Sequence, residues 1–244
     1  MVYESKMLRR LIFISSLILN IGTTGSAFEL DQVFNISSRG IKLGEMDIKI
    51  HNGGGAYRVD TRIYPTGLVG RLLEFELRGK TQGAIDGRGN PAPKNYELWT
   101  KEGDRESTTR ITYRGNRVAS MITNYEHETP LVPTDQVNSL DPITAIALLI
   151  ADQQPEKLCN IAYEMYGGAR RIRIVAYAPK PAEDGLMLCN GFYEGVDAAT
   201  DQEYSDGRNT GFRMYFKQRD DGMMTLVRLR GQTNAGWVTA TPKN

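Results

Sequence analysis

Apolar and polar side chains alternate with a period of two through much of the chain. Val59, Thr61 and Ile63 interleave with Arg58, Asp60 and Arg62; Leu73, Phe75 and Leu77 with Glu74, Glu76 and Arg78; Ile161, Tyr163 and Met165 with Ala162, Glu164 and Tyr166. Ile172 and Ile174 alternate with Arg171 and Arg173, and Phe212, Met214 and Phe216 with Arg213, Tyr215 and Lys217. Successive side chains of a strand point to opposite faces, so each run predicts a strand with one face in a core and one in water. Gly115-Asn116, Gly167-Gly168 and Asp220-Asp221-Gly222 fall between runs and tolerate the positive φ of tight hairpins. The pattern predicts an antiparallel meander. Over residues 41–50 the phase slips, from Ile41 and Leu43 to Met46, Ile48 and Ile50, which predicts a β-bulge at Gly44-Glu45. Such a bend lets a sheet curl.

One segment has a helical period instead. Asp141 suits an N-cap, where its carboxylate accepts from unpaired N–H groups of the first turn, and Pro142 suits the first helical position, where no N–H is needed. Ile143, Ile146, Ala147 and Ile150 then recur at helical spacing, so a mostly buried helix is predicted from residue 142 to about 152, ended ahead of Pro155. It either plugs a curled sheet or packs on one face of an open one. Residues 81–93 and 178–185 are the turn-rich connections. Neither separates stretches of different composition, so residues 28–244 read as a single β-rich domain.

Residues 1–27 read as an export signal: Lys6, Arg9 and Arg10 precede an apolar stretch at 11–21, and Gly25-Ser26-Ala27 offers small residues for cleavage between Ala27 and Phe28. The apolar stretch, interrupted by Ser15, Ser16 and Asn20, is well short of the ~20 residues that span a bilayer. Removal of the signal turns the formal charge of +1 into −1, because Lys6, Arg9 and Arg10 leave with a single acid, Glu4. The expected product is periplasmic, with no transmembrane anchor. Its two cysteines, Cys159 and Cys189, form an even set in an oxidising compartment, which favours a disulfide. Closing a loop of about 30 residues is worth about 3–4 kcal/mol in the chain-entropy model.

Near-neutral charge without a run of like charges removes the footprint of a nucleic-acid binder. There is no nucleophile elbow, H-E-x-x-H, phosphate-binding Gly-rich loop or C-x-x-C. His51 sits at a predicted hairpin end, His127 between Glu126 and Glu128 in a loop, and Asp197, Asp201, Glu203 and Asp206 match no calcium-loop spacing. No catalytic residue, metal or cofactor is assigned, and the chain is not expected to be an enzyme. Two binding features remain. Arg170, Arg171 and Arg173, with Arg228 and Arg230, either could meet across neighbouring strands as a basic patch for lipid phosphate or an acidic envelope polymer, or are the ordinary outward arginines of solvated strand faces, the reading the sequence favours. Trp99, Phe75, Tyr96, Tyr163, Phe192 and Phe212 are expected inside the curl, as core or as the wall of an apolar groove.

Several motifs together resemble the bacterial domain-of-unknown-function family 3108, mostly exported envelope proteins. They are Gly40-Ile-Lys-Leu-Gly44, the Gly67-Leu68 step, Asp141-Pro142-Ile-Thr-Ala145-Ile-Ala-Leu-Leu149 followed by the Cys159 strand, and Gly167-Gly168-Ala169-Arg170-Arg171. Cys189-Asn190-Gly191-Phe192-Tyr193, Arg228-Leu-Arg-Gly231 and residues 233–241 continue the likeness to the end of the chain. Family members often carry an acidic or aromatic residue ahead of the Gly-Arg-Arg turn, where this chain has Tyr166-Gly167-Gly168-Ala169, and only part of the family has two cysteines. The resemblance implies a curled antiparallel sheet, an open barrel or β-spiral, wrapped around one buried helix. It transfers no activity and no catalytic residue. The functional expectation is a non-enzymatic periplasmic protein that binds an envelope protein, lipid or polymer or supports envelope integrity. The alternative is a soluble carrier of lipid or lipidated protein.

Overall fold

The computed structural model describes residues 29–125, 131–196, 211–233 and 236–243. A first meander comprises β1 (Leu30–Ser38), β2 (Ile41–Gly53), β3 (Ala56–Pro65), β4 (Phe75–Ile85), β5 (Pro91–Glu102), β6 (Arg105–Arg114) and β7 (Arg117–Thr123), with one helical turn, α1 (Val69–Leu72), between β3 and β4. A second comprises β8 (Ile161–Tyr166), β9 (Arg171–Ala176), the two-residue β10 (Lys180–Pro181), β11 (Met187–Gly195), β12 (Gly211–Gln218), β13 (Met224–Thr233) and β14 (Gly236–Pro242). Between the meanders lies the helix α2 (Pro142–Ile150). The protein is mainly β, and all the described strands share one antiparallel sheet in the order β7-β6-β5-β4-β3-β2-β1-β14-β13-β12-β11-β9-β8, with β10 attached to β11.

The sheet curls without closing. β1 pairs with β14, from Phe34 opposite Pro242 to Ser38 opposite Val238, and fuses the meanders on one side. On the other side β7 and β8 do not pair with each other. Residues 136–140 run between them: Val118 and Asn138 exchange N–H bonds with Gln136 and Asn116 carbonyls on the β7 side (3.0 and 2.7 Å), while Leu140 N–H meets Glu164 O (2.8 Å) and Tyr166 N–H meets Leu140 O (2.9 Å) on the β8 side.

Inside the curl sits α2, packed against β3, β4, β5 and β8. It plugs the sheet rather than lying on an open face: Ile143, Thr144, Ala145, Ala147, Leu149 and Ile150 are all buried. Its approach to β4 depends on Gly79, where a Cβ would come within 2.2 Å of Ile143 Cδ1. Around the helix, Phe34, Ile48, Ile50, Val59, Ile111, Ile174, Met214 and Phe216 supply an apolar core.

Several expectations need correction. The helix stops at Ile150, because Gln153 pairs with Met224 through N–H bonds of 2.9 and 2.8 Å in both directions and draws the chain off the helical path. Ile146, expected in the core, is 38% exposed. The bulge falls at Leu43, one residue before the expected site: Ile36 faces Gly44 while Ser37 faces Lys42. Gly44 instead permits the approach of β3, since a Cβ there would lie 2.3 Å from Tyr64 O. Most of residues 81–93 is strand, and the turn spans only 86–90, held by Asp86 Oδ1 accepting the N–H groups of Arg88 and Asn90 at 2.9 and 2.8 Å. Leu73 precedes β4 and is exposed. Tyr166, whose place in the alternation faces water, is fully buried. The chain at Leu131 returns over that edge, donating to Ala169 O, and the Tyr166 hydroxyl donates to Gly168 O at 2.7 Å.

Candidate functional site

The predicted N-cap lies at the centre of a buried polar network. Asp141 has no exposed surface; its Oδ1 accepts the Thr144 N–H at 2.9 Å, and its Oδ2 accepts the hydroxyls of Thr144 at 2.6 Å and Thr81 at 2.8 Å. With the Thr144 proton committed to Asp141, the Tyr57 hydroxyl, 2.9 Å away, donates to Thr144 Oγ1. Burial pushes the Asp141 carboxyl up from its ordinary value, and the hydrogen bonds from Thr144 and Thr81 oppose that shift. Burial, then the Asp141 charge, raises the Tyr57 phenol. With every oxygen of Asp141 occupied by a fixed donor, this is a device for holding the helix against β3 and β4.

The disulfide between Cys159 and Cys189 is formed, with the Cα atoms 5.4 Å apart. Both residues are buried. It fastens the chain behind α2 to β11 and so keeps the plug in register with the second meander.

A cavity of about 820 Å³ opens where α2 ends short of the rim. Tyr57, Val59, Ala147, Leu148, Ile161 and Tyr163 give it apolar walls. Its mouth is polar, formed by the β2–β3 turn at 52–55, the β4–β5 turn with Arg88 and Asn90, and Gln154, Lys157 and Asn160. The carboxylate lining it, Asp152, is ion-paired to Arg219. Gln153 Nε2 is buried there with no acceptor among the described residues. Pockets of ~300–1,000 Å³ with apolar walls and a few polar groups are the usual form of small-molecule sites.

The expected basic patch is split. Arg171 and Arg173 stand on β9, Arg228 and Arg230 on β13, with β11 and β12 between them, and Arg170 lies in the β8–β9 turn. Arg171 and Arg173 both bind Glu164, at 2.5 and 2.7 Å, and Arg173 also binds Glu194 at 2.8 Å. Burial raises the Glu164 carboxyl, but the hydrogen bonds from Arg173 and Arg171 outweigh it and hold the group below its ordinary value. These arginines are therefore neutralised from within. Arg228 and Arg230 instead keep company with aromatic rings: the Arg228 guanidinium carbon lies 3.9 Å from the Tyr215 centroid, and those of Arg213 and Arg230 lie 5.0 and 5.1 Å from that of Trp237.

The six aromatics also divide. Tyr96 and Phe212 are core residues and Tyr163 lines the cavity. Trp99 shares the outward phase of Glu97 and lies under Arg78 at 5.1 Å, Phe192 stacks on the exposed Tyr177 at 5.6 Å, and Phe75 is exposed at the start of β4. Their place in the alternation, not their hydrophobicity, decided their face. His51 is exposed near the end of β2. His127, the acids Asp197, Asp201, Glu203 and Asp206, and the Ala27–Phe28 junction lie outside the described residues. Among the described residues no group of three His, Cys, Asp or Glu side chains converges, and no helix is long and apolar enough to cross a membrane.

The sequence raised an apolar groove inside the curl, of whose six expected aromatics only Tyr163 lines the cavity, and it gave no hint of the part played by Arg213 and Trp237. The available signal for a closely packed helix was the inward-facing Gly79 of β4, a small residue at a place where a strand otherwise buries a side chain. No family model matches the chain, and comparison with curated proteins finds no match.

Proposed function

We propose that the chain is an exported, non-enzymatic binding protein of the bacterial cell envelope that carries a small amphiphile in the cavity beside α2. The observation that carries this reading is the pairing of apolar walls with a polar mouth in one space of about 820 Å³. An acyl or ring system fits against Val59, Leu148 and Ile161, while a polar head meets Arg88, Asn90, Lys157 or Asn160. Among the described residues the one carboxylate of the cavity is tied to Arg219, and the Asp141 network is saturated with hydrogen bonds, which leaves neither placed as a general base. The signal at 1–27, the disulfide and the resemblance to family 3108 support the periplasm as the place of action.

Native mass spectrometry of protein purified from an envelope fraction tests the proposal. A co-purifying amphiphile is expected, lost in Leu148→Trp, which fills the cavity while the disulfide and circular dichroism spectrum stay unchanged. Absence of bound amphiphile, or retention of it in Leu148→Trp, rejects the carrier. An amino terminus still at Met1 on the exported protein rejects the cleaved signal.

A further inference from the structure

We propose that the outer face of β12–β14 is a docking surface for an anionic phospholipid bilayer, recognised through Arg213, Arg228 and Arg230 around Tyr215 and Trp237. Arg213 and Arg230 are direct cross-strand partners. Like charges in that position repel, and elsewhere the protein answers the problem with a carboxylate. Arg62 and Arg78 are also cross-strand partners, and Glu76 Oε1 accepts from both, at 2.6 and 2.7 Å. Arg171 and Arg173 share Glu164 in the same way. Around Arg213, Arg228 and Arg230 no carboxylate takes that part among the described residues; their neighbours are rings. The Nε atoms of Arg228 and Arg230 are buried with no acceptor among the described residues. An external anion neutralises the cluster where the chain does not.

Geometry selects the kind of anion. The three guanidiniums are spread over adjacent strands on the outside of a sheet, each beside a ring, rather than converging on one point. That arrangement fits a plane of many phosphates better than a single soluble one. Guanidinium groups bind phosphate oxygens through paired N–H donors, and half-buried Trp and Tyr rings with a polar edge are the side chains favoured at the headgroup level of membranes. None of the five residues lines the cavity, so vesicle binding and amphiphile binding fail independently.

The test is co-sedimentation of the signal-free protein with vesicles of phosphatidylcholine containing phosphatidylglycerol, against vesicles of phosphatidylcholine alone. Each arginine near an anionic bilayer contributes roughly fivefold, so R213Q/R228Q/R230Q should weaken binding about a hundredfold. K94Q/R105Q/R114Q, which removes the same charge from exposed positions elsewhere, should leave most of it. Equal loss in both triple variants, or equal binding to neutral vesicles, overturns the proposal. A second measurement avoids any folding defect of the triple variant. The chain has two tryptophans, so Trp99→Phe leaves Trp237 as the reporter; its emission should shift to the blue on anionic vesicles. Vesicle-bound protein with unshifted Trp237 emission places the contact on another face and rejects this one.

Discussion

The two meanders meet twice, and the two junctions hold by different means. At β1–β14 the contact is a backbone ladder, trimmed by local additions: Ser38 Oγ donates to Trp237 O at 3.1 Å, and Lys243 reaches Glu45 at 3.0 Å. Between β7 and β8 there is no ladder. Residues 136–140 fill the gap through four main-chain hydrogen bonds, two to each side, and side chains reinforce them: Arg171 donates to Val137 O at 2.7 Å, Asn116 to Asn138 Oδ1 at 2.7 Å, and Asp141 caps the helix that follows. A continuous ladder tolerates most side chains because its bonds are all main-chain bonds, whereas the filled gap has only a few such bonds and depends more on the particular side chains that reinforce them. The first junction should therefore be vulnerable to loss of a strand, and the second to single substitutions.

Removing residues 236–244 deletes β14 and leaves β1 and β13 each with an open edge. The largest effect is expected here, loss of a cooperative thermal transition by circular dichroism; a truncated chain that still melts cooperatively would show that the gap-filled side alone suffices. Next in size is the disulfide, which serves the β7–β8 side by tying the chain behind α2 to β11. Cys159→Ala with Cys189→Ala should cost about 3–4 kcal/mol in urea denaturation. A cost below about 1 kcal/mol would mean that the buried helix needs no fastening.

Acid should separate the junctions with opposite signs. Hydrogen bonds from Lys42 and then Lys243 hold the Glu45 carboxyl at about 2, below its ordinary 4.5. Its contribution to the ladder side is complete above about 4.5 and is lost as pH falls toward 2. Asp141 is shifted upward by burial, so the folded state holds its proton more tightly than the unfolded chain, and stability from this site rises as pH falls toward the ordinary value of 3.8. In melts from neutral pH downward, the advantage of the unaltered protein over Glu45→Gln should shrink, while its advantage over Asp141→Asn should grow. Movement of both in one direction would mean that the two acids do not report on different junctions.

What could be read from the chain was what neighbouring residues decide. Asp141-Pro142 forms its cap within one helical turn, and Gly115-Asn116 joins β6 to β7 where the pattern placed it. An even count and the expectation of an oxidising compartment pointed to the cysteine pair that the structure forms. What failed depends on distant partners. The bulge moved by one residue because β1 sets the register of β2. The arginine patch dissolved because strand order decides who meets whom: β9 and β13 look adjacent in chemistry but lie three steps apart in the sheet. Arg213 looked like one more outward charge until β13 and β14 brought Arg230 and Trp237 beside it. The cavity comes from the mismatch between a helix ending at Ile150 and the longer strands around it, which no single segment encodes.

The β1–β14 join also governs the time course of assembly. Glu45 and Lys243, which it brings together, are 198 residues apart in the chain. The first meander is built from local hairpins and can form early, but β1 then presents unpaired backbone groups until residues 236–242 become available. Contacts of such long sequence separation form slowly, and an open strand edge is a template for pairing with other chains. The interval before β14 arrives is thus when the protein is most exposed to misassembly, and when a chaperone that masks strand edges would have the most to do.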